Sequence, residues 1–307
     1  MSVSALKAVE PAVTNVPCNL CGADDAEVLF KAGVAQHNQI VACRKCGLMY
    51  SNPRIRPADQ ELVKDYDPSV TGDPEAYDPG RFDKERVQVR DYADTREYLK
   101  KLYPQRGKLI ELGCGVGFLL KAFAEDGWDV TGIEPDRGFC EYIERKQGLK
   151  ALPTILETSG IPDNSVDVVV LLHVIEHVPD PLATLETIFR VLKPGGHLVL
   201  ETPRYDSLMF KLLGKRERSL SCDGHIYFFT TDSLRKLTEK AGFKTKQWRY
   251  VGRSLSLDRL AWNVGVISKS RAVQKLLKGA SDALHFNKLH FKLNMRDMQR
   301  IVVQKPT

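Results

Sequence analysis

Two groups of residues in this chain have types and spacings suited to chemistry. The first is the run Glu111-Leu-Gly-Cys-Gly-Val-Gly117, in which Gly113, Gly115 and Gly117 alternate directly after the short apolar stretch Leu109 to Leu112. Strand, glycine turn and helix in that order let a ligand touch main chain where a side chain would obstruct it. The spacing is not the dinucleotide G-x-G-x-x-G, because Phe118 stands at that pattern's third glycine. Glu111, two residues before the first glycine, can face a cationic group at the carboxyl edge of its strand. Glu134 closes the next strand, Asp129 to Ile133, where an acid can accept both hydroxyls of a ribose. A ligand with a cation at one end, a ribose at the other and no phosphate fits S-adenosylmethionine (SAM) better than NAD.

The second group is two C-x-x-C-G knuckles, Cys18 with Cys21 and Cys43 with Cys46, separated by 21 residues. Each knuckle offers two thiolates on a tight turn, and two knuckles complete a tetrahedral zinc site. Such a site has no open position, so the ion is expected to be structural. A pair of redox C-x-x-C motifs is the alternative. His37, between the knuckles, reads as a surface residue.

These groups need elements to hold them. The residues between the knuckles suffice for a β-hairpin, and Gly47 to Pro53 extends from it as a strand. Ala58 to Asp65 predicts a short helix, and Asp67 to Gly80 a loop carrying Tyr77, which either packs or closes over the site. Phe82 to Tyr103 predicts a charged amphipathic helix. From Lys108 strands and helices alternate, which implies a parallel sheet with helices on both faces. Helices are expected at Phe118 to Ala124, Arg137 to Gln147 and Leu182 to Leu192, and after Thr230 or Thr231. Strands are expected at Lys150 to Leu152, Asp167 to Leu172, Gly196 to Thr202, Lys246 to Gly252 and Met298 to Gln304.

With Glu134, the run Asp167 to Pro181 (DVVVLLHVIEHVPDP) and Val191-Leu-Lys-Pro-Gly-Gly196, the glycine run resembles the successive motifs of class I SAM-dependent methyltransferases. The resemblance covers about half the chain. It implies a Rossmann-like, mostly parallel seven-stranded α/β sheet with an N-terminal zinc ribbon and a helical insertion before the last strand. The organisation expected is a tail (1–16), the ribbon (17–56), a helical linker and lid (57–106), the cofactor core (107–252) and a basic helical insertion with the last strand (253–307). The resemblance also implies a cofactor site of Glu111, Gly113, Cys114, Gly115, Gly117, Glu134, Pro135, Thr154, Leu156 and Leu172. His173, at the end of the fourth strand, either covers the cofactor's methionine end or meets the substrate. The element Asp223-Gly-His225-Ile-Tyr-Phe-Phe229-Thr is similar to one in zinc-bearing sugar C-methyltransferases, where the histidine is a base. His225 is accordingly the candidate base or substrate contact, or else a tie between loop and domain. Cys222 replaces the tyrosine those enzymes carry three residues earlier.

Composition bounds the rest. A 43% apolar and 27% charged chain of 307 residues reads as globular, and no apolar run approaches the ~20 residues that span a bilayer. Cysteines in knuckles and no leader-like start suggest the cytoplasm. Of the net charge of +6, the segment from Arg253 onward carries +8 (eleven Lys or Arg against three Asp), leaving −2 elsewhere. Apolar residues between Leu257 and Leu284 follow helical spacing. These basic helices read as a cap, or as contact with a membrane surface or an anionic substrate. The expected activity is methyl transfer to oxygen or carbon of a small-molecule, glycan or lipid-linked acceptor. Its rivals are an RNA methyltransferase whose ribbon docks RNA and a non-catalytic SAM-binding scaffold. RNA is disfavoured because Asp24, Asp25 and Glu27 offset the ribbon's Lys31, Arg44 and Lys45.

Overall fold

The computed structural model describes residues 13–35, 38–55, 90–221, 224–256, 279 and 290–307. Several expectations lie outside those residues: His37, the helix at 58–65, the loop with Tyr77, the first part of the 82–103 helix, Cys222 and the basic helices at 257–284.

The N-terminal strands are β1 (Val13–Thr14), β2 (Ala26–Phe30), β3 (Ile40–Cys43), β4 (Met49–Ser51) and β5 (Arg54–Ile55). β2 and β3 form the expected hairpin, and β4 pairs with β3. Gly22 and Gly47 take the left-handed backbone that each knuckle requires, with φ of 72° and 77°.

The cofactor half begins with α1 (Ala93–Leu102) and continues through β6 (Lys108–Leu112), α2 (Phe118–Glu125), β7 (Asp129–Ile133), α3 (Arg137–Tyr142), β8 (Ala151–Leu152) and β9 (Val166–Leu172). Then follow α4 (Pro181–Val191), β10 (Leu192–Pro203), α5 (Leu208–Leu213), β11 (Tyr227–Phe228), α6 (Thr231–Lys240), β12 (Lys244–Ser256) and β13 (His290–Gln304). The sheet order is β12-β13-β10-β9-β6-β7-β8, with β13 alone antiparallel to the five strands beginning at β10. Val168, Val169, Leu171, Leu198 and Leu200 are fully buried, as befits strands covered on both faces. Side-chain caps start the helices: Asp136 accepts from Phe139 N–H, Asp180 from Ala183 N–H, and Thr230 forms a capping box with Ser233.

Three expectations change. The 137–147 helix widens to a π-turn over Ile143–Gln147. β10 begins at Leu192, upstream of Gly196, with an irregular register between Leu192 and His197. β12 and β13 run longer than expected, pairing out to Ser256 and His290, so 253–256 and 290–297 are strand and not part of a helical insertion.

The ribbon and the core share a sheet. β11 pairs antiparallel with β4, setting Tyr227 opposite Tyr50 and extending the ribbon to the order β11-β4-β3-β2. Lys240 Nζ donates to Leu20 O at 2.7 Å, and Asn19 donates to Asp180 Oδ1 at 2.7 Å.

Beneath the site lies a buried ion pair between neighbouring strands. Glu201 on β10 stands directly opposite Arg300 on β13, with Nε to Oε2 at 2.5 Å. Arg300 also donates to Thr95 Oγ1 and the Asp91 carbonyl and lies over the Tyr92 ring. Burial acts to raise the Glu201 carboxyl, but the hydrogen bond from His173 and the charge of Arg300 outweigh it and hold the group at about 2. Removing one partner of such a pair strands a buried charge. Arg300→Met should therefore cost ~3–5 kcal/mol in urea unfolding near neutral pH. A carboxyl depressed in the folded state stabilises above its unfolded pKa and loses that contribution as pH falls through the folded one. The gap between wild type and Arg300→Met should thus narrow between pH 4.5 and about 2; a pH-independent gap contradicts the assignment.

Candidate active site at the carboxyl edge of the sheet

The glycine loop sits where β6 ends, between β7 and β9. Gly113, Gly115 and Gly117 all have positive φ (66°, 52° and 77°). A Cβ on Gly113 would lie 2.4 Å from Val174 Cγ2, so the loop fits only as glycine. A Cβ on Gly115 would meet nothing within 4 Å, which marks the open side of the turn. Gly117 caps α2 in the left-handed conformation. The Cys114 thiol packs inward with Leu120 and Ile143, leaving only its main chain at the loop.

Glu111 is buried, and its Oε2 has no hydrogen-bond partner. Burial, with the charge of Glu134 second, pushes its carboxyl up to about 8. Glu134 accepts from Gly115 N–H at 2.9 Å and Asp136 N–H at 3.2 Å. Burial raises its pKa although both amides oppose the shift. An orphaned buried carboxyl, a second acid held by loop amides and a turn with an open side fit the sulfonium, ammonium and ribose groups of SAM. Of the other expected cofactor residues, Pro135 and Leu172 are half-buried beside the loop's strands. Leu156 is buried with Ile110 and Ile133 in the main core. Thr154 bonds outward to Thr158 Oγ1 at 2.8 Å.

Across the loop from Glu134 lies a polar group built on β9, β10 and the segment before β11. His173 has a φ of 58°, a costly conformation for a residue with a Cβ. Its Nε2 lies 3.2 Å from Glu201 Oε1 and its Nδ1 3.7 Å from Glu176 Oε1. Tyr92 OH donates to Glu201 Oε1 at 3.2 Å. Glu176 is buried, accepts from Thr202 Oγ1 at 2.9 Å and keeps Oε1 without a hydrogen bond. Burial acts to raise Glu176, but the His173 ring facing it at 3.7 Å outweighs burial and pulls it below the usual range.

His225 joins this group. It is buried, with Nδ1 3.4 Å from Tyr205 OH and its ring edge-on to His177 at 4.6 Å. Burial, then the neighbouring His177, lowers it to about 4. The imidazole is therefore neutral at neutral pH and a weak base there. Ligand atoms of Glu176, His177 and His225 lie within 4.8 Å of one another, a set that could hold a divalent cation. The structure thus brings His173 and His225 to one edge, as expected. Sequence reasoning missed Glu201, Arg300 and Tyr92. The signal for Glu201 and Arg300 was a single carboxylate or guanidinium inside each expected strand, Gly196 to Thr202 and Met298 to Gln304; Tyr92 gave none.

The knuckles also converge. Sγ atoms of Cys18, Cys21, Cys43 and Cys46 lie within 4.8 Å of one another, with Cys18–Cys46 at 3.4 Å and Cys21–Cys43 at 3.5 Å. A tetrahedral site with Zn–S of about 2.3 Å needs S–S edges of ~3.8 Å, so the cluster fits.

The chain matches the family described as "Methyltransferase domain" over residues 83–247. It is 34% identical over 150 residues to a ubiquinone biosynthesis O-methyltransferase of Psychrobacter arcticus, covering 44% of this chain and 58% of that protein. The Alkalilimnicola ehrlichii protein of the same name is 26% identical over 172 residues, covering 53% and 62%. The chain thus spans about three fifths of the length of these relatives. Among solved structures, a Pyrococcus horikoshii protein is similar at a TM-score of 0.50 and 15% identity, covering 79% of this chain and 100% of that one. A SAM-dependent methyltransferase from Archaeoglobus fulgidus is similar at 0.47 and 18%, covering 72% and 97%. At 15% identity the likeness to the Pyrococcus horikoshii protein is one of fold.

Two outcomes check the cofactor site. Gly113→Arg should abolish SAM binding, and Glu134→Ala should weaken it by ~1–3 kcal/mol in calorimetry without loss of fold. Because a bound cation favours ionised Glu111, SAM binding below pH about 8 should release a proton. Calorimetry in buffers of different ionisation enthalpy would read it, and Glu111→Gln should remove it.

Proposed function

This chain belongs to the class I SAM-dependent methyltransferases, and from that premise we propose that it methylates an oxygen of a small-molecule acceptor, including one carried on a glycan or lipid. The observation that carries the reading is the pairing, on one sheet edge, of the Glu111–Glu134 cofactor cradle with the His173–Glu201–Glu176 group. The names of the curated relatives favour oxygen as the acceptor atom.

When bound, SAM supplies an electrophilic methyl on a good leaving group, so the protein mainly aligns the nucleophile and excludes water. Glu111 would hold the cationic end, the 113–117 main chain the methionine end and Glu134 the ribose. On the acceptor side His225 offers a neutral ring as a hydrogen-bonding contact. His173, with its two ring nitrogens facing Glu201 and Glu176, would orient the acceptor hydroxyl, and the ionised Glu176 would take its proton. The four cysteines would hold a structural zinc ion bracing the sheet that β11 completes.

An RNA acceptor is the weaker reading: the ribbon's Arg44 already stands at ion-pair distance from Asp25 and Glu27. Transfer of labelled methyl from SAM into lysate fractions separates the cases. Ribonuclease-resistant label in a low-mass or glycolipid fraction supports the proposal, ribonuclease-sensitive label overturns it, and SAM binding with no label in any fraction indicates a scaffold. Metal analysis should find one zinc per chain. Cys43→Ser should lose it and lower the thermal midpoint, because β4 supports β11; full stability without metal contradicts the structural role.

A further inference from the structure

Arg54, on β5 at the end of the ribbon, is a buried cation whose donors the fold leaves mostly unused. It is 6% exposed, yet its Nε and Nη1 have no hydrogen-bond partner, and it makes no ion pair among the described residues. Its Nη2 donates to the Pro179 carbonyl at 2.9 Å, and the guanidinium carbon stands 5.1 Å from the centre of the Tyr227 ring. A neutral carbonyl and a ring face compensate a buried positive charge only in part. Arg300 shows the contrast. Comparably buried, it is paired with Glu201 and Asp94 and donates to Thr95 Oγ1 and the Asp91 carbonyl.

The acid next to it is engaged elsewhere: Asp180 accepts through Oδ1 from Asn19 and from Ala183 N–H. The backbone that carries Arg54 is fixed. β5 pairs with β1, Asn52 Oδ1 accepts from Val16 N–H at 2.9 Å, and the Asn52 carbonyl accepts from Gln39 at 3.0 Å. A desolvated guanidinium held in place with free donors is suited to recognising a carboxylate or phosphate. Its position places it beside the site. Segments 177–179 and 225–227 run side by side, with the His177 and His225 rings 4.6 Å apart and Tyr227 OH donating to the Pro179 carbonyl at 3.2 Å. Arg54 meets the Pro179–Tyr227 pair, two residues along from the two histidines, a chain span of at most ~7 Å. The segment containing His177 and Pro179 also carries Glu176, whose Oε1 has no hydrogen bond.

We propose that Arg54 binds an anionic group, carboxylate or phosphate, on the methyl acceptor, with the acceptor's hydroxyl directed toward Glu176. The inference rests on the methyl-transfer reading above and deepens it: the acceptor is an acid. The bound anion supplies the counter-charge that the fold withholds from Arg54. The ribbon then contributes a specificity-determining side chain from β5, while the sheet edge supplies the groups that act on the hydroxyl. This cation is separate from the basic 253–293 segment.

Two measurements test it. In the first, the full chain saturated with S-adenosylhomocysteine is titrated calorimetrically with benzoate and with inorganic phosphate. At least one should bind, and Arg54→Met should weaken it by about tenfold or more, the size of lost hydrogen bonds to a charged group. Arg54→Lys, which keeps the charge but not the fork of donors, should fall between. SAM affinity should stay unchanged in both variants, which shows that they fold. In the second, labelled methyl is transferred from SAM into ribonuclease-treated lysate, and the low-mass and glycolipid fractions are passed over an anion exchanger near neutral pH. The label should be retained; retention abolished by phosphatase identifies a phosphate, and retention that survives it a carboxylate. Label in a neutral product overturns the proposal and leaves methyl transfer standing. Binding of neither oxyanion, or equal binding by wild type and Arg54→Met, also overturns it. Arg54-dependent binding with no label in any fraction overturns the methyl-transfer reading, and the acceptor role of the anion with it.

Discussion

Much of the site hangs on Glu176. Its main-chain carbonyl accepts from both Ile226 N–H at 2.9 Å and Tyr227 N–H at 3.1 Å, and its side chain accepts from Thr202 at the end of β10. One buried residue therefore ties the end of β9, the end of β10 and the segment bearing His225. A buried carboxylate is tolerable only with compensation. The compensation, His173, is itself fixed by Glu201 and through it by Arg300 on the reversed strand. The antiparallel last strand thus supplies the cation that lets two carboxylates stay ionised under the site.

The charge pattern explains the division of labour along the edge. On the cofactor side burial wins, and Glu111 is driven toward its neutral form until a cation arrives. On the acceptor side ion pairs win, and Glu201 and Glu176 stay charged. His225, with no carboxylate hydrogen-bonded to its ring, loses to burial and stays neutral. Similar side chains a few ångströms apart are set to different protonation states by whether a partner lies within reach.

Much of this was legible in the sequence, and the reasons are physical. Alternating glycines after an apolar strand, Pro181 behind the Asp180 cap and the Thr230 cap each specify local backbone, so their elements fell where expected. The knuckle glycines specified the ribbon turns in the same way. Strand ends were less legible. β12 and β13 extend past the apolar stretch because their pairing continues where hydrophobicity stops, and β10 starts early because Leu192 pairs with Val166 on β9. The Glu201–Arg300 pair was hidden because cross-strand register is a tertiary fact, invisible until both strands are aligned. β11 was hidden because a two-residue strand carries no periodicity, and only its partner β4 makes it one.

That last pairing bears on how the chain is made. Tyr227 follows Tyr50 by 177 positions, yet the two face each other across one ladder. The ribbon leaves the ribosome before the core but cannot complete its sheet until Tyr227 and Phe228 have been synthesised. Contacts of such separation close late because the intervening chain must first be ordered. The knuckle cysteines, needing only one another and a short hairpin, can assemble early and hold β4 in register while it waits. The ribbon is thus begun before the core and completed only with it, and no cut between the two leaves both parts with their sheets intact.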